Sequence, residues 1–236
     1  MAQRSTLLLV HGAWSGGWPW EPVLDPLRQR GVCVEVIEQL PSAGVDADEL
    51  GDLRADAAHV RERLTEIAAP VVICGHSYGG MVITECADHP AIMHSVYLTA
   101  FWPAPGQSLL DLVGGQPPDW IVDHGDGSLA VTDDVERARQ ALFTDLEPDR
   151  AAKAHARLVL QSAASFATPS SAPARSHPTT YVFCTEDQAI PLTVQEAMSA
   201  GADNVVRLRS AHFAQLSYPE TLADALAAVV VGDYEG

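Results

Sequence analysis

Gly75-His76-Ser77-Tyr78-Gly79-Gly80 follows the apolar run Val71-Val72-Ile73-Cys74 directly and precedes a helical pattern. A serine between two glycines at a strand-to-helix turn is the arrangement that presents a hydroxyl as a nucleophile. A side chain at either flank would collide with neighbouring backbone. The turn lifts the Ser77 hydroxyl out of the sheet edge at the start of a helix, where amide hydrogens face developing negative charge. Such a serine needs a base, and nine histidines are available. His11 follows a strand and reads as shaping the first loop, while His76 lies inside the turn. His59, His89 and His94 read as surface residues, and His124, His155 and His177 fall in a long insertion. His212, in Ser210-Ala211-His212-Phe213, comes just after the last strand. That is where an open α/β sheet presents its working residues, so His212 is the candidate base. The carboxylate that orients it belongs at another strand end, between serine and histidine in the chain. Asp187 fits, two residues past Tyr181-Val182-Phe183-Cys184-Thr185, with Glu186 as the competing neighbour. Ala100-Phe101-Trp102, after the preceding strand, offers no acid.

Acyl transfer also needs donors for the oxyanion. The backbone N–H of Tyr78 is one, next after the nucleophile. The second is assigned to Ala13, in the loop Val10-His11-Gly12-Ala13-Trp14, where Gly12 allows close backbone approach. With Ser77, Asp187 and His212 these groups suit attack on an ester carbonyl, an acyl-enzyme and its hydrolysis by water. The substrate pocket should be apolar. Gly12, Trp14, Phe101, Trp102, Trp120, Phe143 and Phe213 are its candidate contacts, with Phe166 beside them, though each aromatic would serve core packing equally well.

The elements that must position these residues alternate along the chain. Strands are predicted over Thr6–Val10, Val32–Ile37, Val71–Gly75, Ser95–Ala100, Thr180–Cys184 and Val205–Leu208. Helices are predicted over Pro19–Arg30, Asp46–Ala68, Ser77–Asp88, Pro191–Ala200 and Pro219–Val231. Leu50, Leu53, Ala57, Val60, Leu64 and Ile67 give the second of these its amphipathic spacing. This rhythm predicts an α/β fold with a mostly parallel central sheet and helices on both faces. The rhythm breaks over 103–178, where two helices are predicted near Asp134–Phe143 and Asp149–Leu160 and a loop over Ser162–Pro178. No buried strand is legible there, and a stretch that long reads as a helical lid inserted into a core made of 1–102 and 179–236.

Composition limits the partners. The 236 residues are 47% hydrophobic and carry a formal charge of −17, with Lys153 as the sole lysine. Such a surface repels phosphate backbones and anionic lipid, which argues against nucleic acid and membrane as partners. No run approaches the roughly 20 apolar residues of a membrane span, and the N-terminal apolar stretch is too short for a signal peptide. Cys33, Cys74, Cys86 and Cys184 show no metal-ligand spacing and read as buried free thiols of a cytoplasmic protein. No cofactor or metal is called for, and oligomeric state is not legible.

The sequence resembles the α/β-hydrolase superfamily, and within it the branch of plant methyl esterases and hydroxynitrile lyases. Leu9-Val10-His11-Gly12-Ala13-Trp14, Gly17-Trp18-Pro19-Trp20, Gly75 to Met81, Cys184 to Pro191 and His212 to Leu216 carry the likeness, which frames nearly the whole chain. It implies an α/β-hydrolase fold, Asp187 and not Glu186 as the acid, and Ala13 and Tyr78 as oxyanion donors. The plant branch usually has Leu where Tyr78 stands. Its lyases have Thr in place of Gly12 and a lysine after the histidine, where this chain has Phe213. The expectation is a carboxylic ester hydrolase acting on a small apolar ester. Lactone or carbon–carbon bond hydrolysis, cyanohydrin cleavage and a non-catalytic receptor on the same fold are the alternatives. High Ala and the preference for Arg over Lys read as a bacterial composition.

Overall fold

In the computed structural model, which describes residues 5–232, the chain opens with β1 (Thr6–Val10), α1 (Glu21–Gln29) and β2 (Cys33–Val36). There follow β3 (Ala43–Gly44), α2 (Leu53–Glu66), β4 (Val71–His76), α3 (Gly79–Glu85) and β5 (Ile92–Leu98). The inserted stretch holds α4 (Leu109–Leu112), β6 (Ile121–Asp123), β7 (Ser128–Val131), α5 (Val135–Leu142), α6 (Pro148–His155), β8 (Leu160–Ser162) and α7 (Ala163–Ala167). The chain closes with β9 (Thr179–Cys184), α8 (Leu192–Met198), β10 (Asn204–Leu208), α9 (Ala214–Ser217) and α10 (Pro219–Val231). The reading of the N-terminus against a signal peptide rests partly on residues 1–4, outside those described. Among the described residues no helix is long and apolar enough to cross a membrane.

Six strands form one parallel sheet in the order β10-β9-β5-β4-β1-β2. β1 and β4 are buried at every residue, as near-continuous apolar runs in a doubly covered parallel sheet should be. Alternation along them feeds two cores. Leu8, Val10 and Ile73 pack with α2 and α3 residues such as Val60 and Met81. Leu7, Leu9, Val72 and Cys74 pack with Leu27 of α1 and Leu222 and Leu226 of α10. The chain moves outward from β1 to β2, then returns to β4 on the other side. The crevice of an open sheet lies at such a switch point, beyond the strands' carboxyl ends. The Gly12–Trp14 loop and Ser77 both leave the sheet there.

Four expectations need correction. The helix predicted over Asp46–Ala68 begins only at Leu53, because Asp52 caps it by accepting from the N–H groups of Arg54 and Ala55. The insertion is not purely helical. β6, β7 and β8 pair antiparallel with β3 in the order β3-β8-β7-β6, and α7 lies where a loop was predicted. Strands of three or four residues are too short to show a period. His94 is buried and bonded to Thr180 Oγ1 at 2.8 Å, so it is not a surface residue. Cys33 is exposed, whereas Cys74, Cys86 and Cys184 are buried free thiols.

Candidate active site

Ser77 sits one residue past β4 with φ +53°, the left-handed conformation that a sharp strand-to-helix turn imposes. Its carbonyl accepts from the N–H groups of Gly80 (3.0 Å) and Phe101 (3.1 Å), which locks the turn. A β-carbon on Gly79 would stand 2.7 Å from the His11 carbonyl oxygen, so only glycine lets α3 start against the loop after β1. One on Gly12 would stand 2.9 Å from Cβ of Ser77. Gly12 thus brings the two candidate oxyanion segments together. It is not on the cavity wall itself.

His212 follows β10 and is buried, with Nδ1 2.7 Å from Oδ2 of Asp187. That carboxylate is surrounded by donors. Oδ2 also accepts from Thr99 Oγ1 at 2.5 Å, and Oδ1 accepts from the N–H groups of Ala189 (2.7 Å) and Ile190 (3.0 Å). An acceptor so placed fixes the proton on Nδ1 and leaves Nε2 with the lone pair, the tautomer a general base requires. Glu186 points elsewhere and pairs with Arg209 at 2.6 Å on the surface. Thr99 was missed by sequence reasoning. It stands at the end of β5, where an acid was sought and none found, and its φ of +36° is strained for a threonine.

Ser77 and His212 share the wall of one narrow cavity of about 30 Å³. Ala13, Trp14, Tyr78, Phe101, Ala189 and Ile190 complete its floor, each from a loop at a strand's carboxyl end. Leu109, Val113, Pro117, Pro118, Trp120, Ile121 and Phe166, all from the insertion, form its roof. Prolines and aliphatic residues of that roof carry no spacing signal and were not anticipated. Trp102, Phe143 and Phe213, expected at the substrate, lie elsewhere. Trp102 stacks on Tyr97 at 4.4 Å, and the Arg175 guanidinium lies over its ring at 5.0 Å. Phe143 and Phe213 are packed together at 4.9 Å in the core, Phe213 edge-on to His212 at 5.4 Å. Among the described residues no lysine or arginine lines the cavity.

Two further imidazoles support the loops. His11 accepts from Leu40 N–H through Nε2 (3.0 Å), and its Nδ1 lies 2.8 Å from the Gly12 carbonyl. His76 Nε2 reaches the His212 carbonyl at 2.8 Å. Burial holds the His11 pKa down at about 4 and that of His76 well below 6.5. Both are neutral when folded but would take up a proton in the unfolded chain below pH 6.5. Their stabilising contribution is therefore present above pH 6.5 and lost as pH falls toward 4. His11 alone should remove roughly 3 kcal/mol of stability by pH 4. Thermal melts from pH 7 to pH 4 are expected to show a falling Tm, with a flatter profile in His11→Gln. A Tm constant over that range would contradict the assignment of neutral buried imidazoles.

Comparison with known proteins places the fold in a family. The model of the "Alpha/beta hydrolase family" matches residues 7–225. A carbendazim hydrolyzing esterase of Nocardioides sp. is 40% identical over 115 residues, which span 46% of this chain and 47% of that esterase, about half its length. A pyrethroid hydrolase of Sphingobium wenxiniae is 30% identical over 94% of this chain and 86% of its own. The crystal structure of a pyrethroid hydrolase from Sphingobium faniae superposes with a TM-score of 0.83 at 25% identity, covering 98% of this chain and 99% of that one. The plant likeness is present as well: polyneuridine aldehyde esterase of Rauvolfia serpentina is 25% identical over 95% of each chain.

Proposed function

The chain belongs to the alpha/beta hydrolase family, and from that premise we propose that it hydrolyses small apolar carboxylic esters through an acyl-enzyme on Ser77. The observation that carries this reading is the Asp187–His212 pair at 2.7 Å, set on the same apolar cavity as Ser77. Nε2 of His212 takes the Ser77 proton as Oγ attacks the carbonyl carbon. The N–H groups of Ala13 and Tyr78 receive the charge that develops on the carbonyl oxygen. The tetrahedral intermediate collapses, His212 protonates the leaving alcohol, and the alcohol departs. Water, deprotonated by the same imidazole, releases the acid and restores Ser77. Residues 103–178 act as the lid over a core of 1–102 and 179–236. The roof they supply favours an apolar acyl group, and a cavity lined by no cation among the described residues disfavours an anionic one. Cyanohydrin cleavage lacks support, because an anionic leaving group needs a nearby cation. Phe213 is a buried ring, and the sole lysine, Lys153, lies at a surface groove beside Trp18 and Arg157. Three buried free thiols suit a cytoplasmic site of action, and the composition suits a bacterial source.

A panel of aryl and methyl esters with apolar and carboxylate-bearing acyl groups tests this reading. Multiple turnover of the apolar members and poor turnover of the anionic ones are expected. No Ser77-dependent ester turnover across the panel would overturn it, and single-turnover binding without release would favour a receptor. Trp120 and Phe143 should separate on the same panel. Trp120→Ala opens the roof and should reorder the acyl preferences. Phe143→Ala empties a fully buried core position and should cost about 3–5 kcal/mol of stability with the order kept. An unchanged order in Trp120→Ala would remove Trp120 from the acyl site.

A further inference from the structure

A buried hydrogen-bond chain joins the two backbone segments that carry the oxyanion donors. Trp14, next to Ala13, has φ +57°. A left-handed tryptophan costs on the order of 1–2 kcal/mol and needs outside support. Both faces of its backbone are held from the insertion. The Trp14 N–H donates to Oε1 of Gln161 at 3.2 Å, and its carbonyl accepts from the N–H of Val159 at 2.8 Å. Gln161, in β8, donates through Nε2 to Ser42 Oγ (2.8 Å) and to Ser165 Oγ (2.7 Å). The Ser42 N–H donates to Oδ1 of Asp56 at 2.8 Å. Oδ2 of Asp56 accepts from the hydroxyl of Tyr78 at 2.6 Å. Gln161, Ser42, Asp56 and Tyr78 are each fully buried.

We propose that Gln161 and Asp56 are positioning residues for the oxyanion site, with the chain Trp14–Gln161–Ser42–Asp56–Tyr78 fixing the Ala13 and Tyr78 amides relative to one another. The proposal rests on the reading of Ser77, Ala13 and Tyr78 given above. Its two ends lie on the two donor segments. Its middle crosses from the first loop to α2 and to the insertion. The lid is thereby part of the catalytic geometry as well as the pocket roof. Donors must sit about 2.7–3.1 Å from the developing oxyanion, and an error near 1 Å costs about a hundredfold in rate. A buried polar chain is also demanding, since each unsatisfied member destabilises the core. Asp56 meets that demand without a cation, through Ser42 and Tyr78, and burial pushes its carboxyl above the usual range. The hydroxyl of Tyr78 is what completes it, and a leucine at this position would end the chain at Asp56.

The test uses the full-length enzyme and an aryl ester of an apolar acid. Gln161→Met and Tyr78→Phe keep bulk while cutting the chain at different links. Glu85→Gln is the control. It weakens another, part-buried tie between core and insertion, at the end of α3 away from Tyr78, where the Glu85 carboxylate accepts from Ser171 N–H (2.6 Å) and Ser171 Oγ (2.8 Å). Each chain variant should lower kcat roughly ten- to a hundredfold with KM within about threefold. Affinity for an aryl trifluoromethyl ketone, which mimics the tetrahedral state, should fall in step with kcat/KM. The double variant should lose little more than the worse single one, because both break the same chain. Glu85→Gln should lower Tm and leave kcat unchanged. The proposal is overturned if the chain variants lose no more kcat than Glu85→Gln, or if their losses multiply. If wild-type turnover survives Ser77→Ala, the reading of the site fails first and the proposal with it. If turnover depends on Ser77, the chain variants judge the positioning role alone.

Discussion

Ser77→Ala is expected to lower kcat on an aryl ester by about five to six orders of magnitude, His212→Ala by a similar factor, and the double variant by no more than either. In the proposed mechanism the two act in one proton transfer, so once either is gone the other has nothing left to do. A residual rate above water should persist in all three, because the apolar cavity and the proposed oxyanion donors, the Ala13 and Tyr78 N–H groups, remain. Folding should be intact. Ser77→Ala removes one oxygen at a position that keeps its turn through the backbone bonds from Gly80 and Phe101. Steady-state rates with a melting curve for each variant decide the matter. Independent, multiplying losses would contradict a shared proton path.

Asp187→Asn is expected to lower kcat by about 10⁴-fold with the fold retained. All four contacts of the carboxylate come from donors: Thr99, His212, Ala189 and Ile190. An amide replaces one acceptor oxygen with an N–H₂ group. If that group faces His212, the imidazole is driven to the tautomer with its lone pair on Nδ1 and no base at Nε2. Glu186→Gln should change kcat by less than about threefold. It loses only an ion pair with Arg209 at the surface, a contact worth little in water. The pair of variants assayed on one ester is the check. The reverse ranking would move the acid role to Glu186.

The candidate triad is legible in the sequence because its constraints are local. A glycine-flanked serine directly after Val71-Val72-Ile73-Cys74 must sit on a strand-to-helix turn, and a parallel sheet brings all its carboxyl ends to one edge. His212 follows from that geometry, which leaves Asp187 and Glu186 as neighbouring candidates for the acid; the resemblance to the α/β-hydrolase superfamily separates those two. The pocket does not follow. Phe143, Phe213 and Trp120 look alike as sequence, yet only Trp120 reaches the cavity. The difference is set by how the insertion folds back, and its short strands leave no period to read. Thr99, Gln161 and Asp56 were illegible for another reason. Each works through a partner between 22 and 147 positions away, and a lone polar residue in an apolar pattern gives no sign of which distant group it will meet. Asp56 in particular falls on the buried side of α2, where composition alone would place a surface carboxylate.

The most direct measurement is to mix the wild-type enzyme with an aryl ester of a slowly hydrolysed apolar acid, quench within the first turnover, and read the peptide that holds residue 77 by mass spectrometry. The account predicts one equivalent of aryl alcohol released in a burst and the acyl mass on Ser77, absent in Ser77→Ala. Steady release of the alcohol with no burst, and acyl mass on another residue or on none, would contradict it.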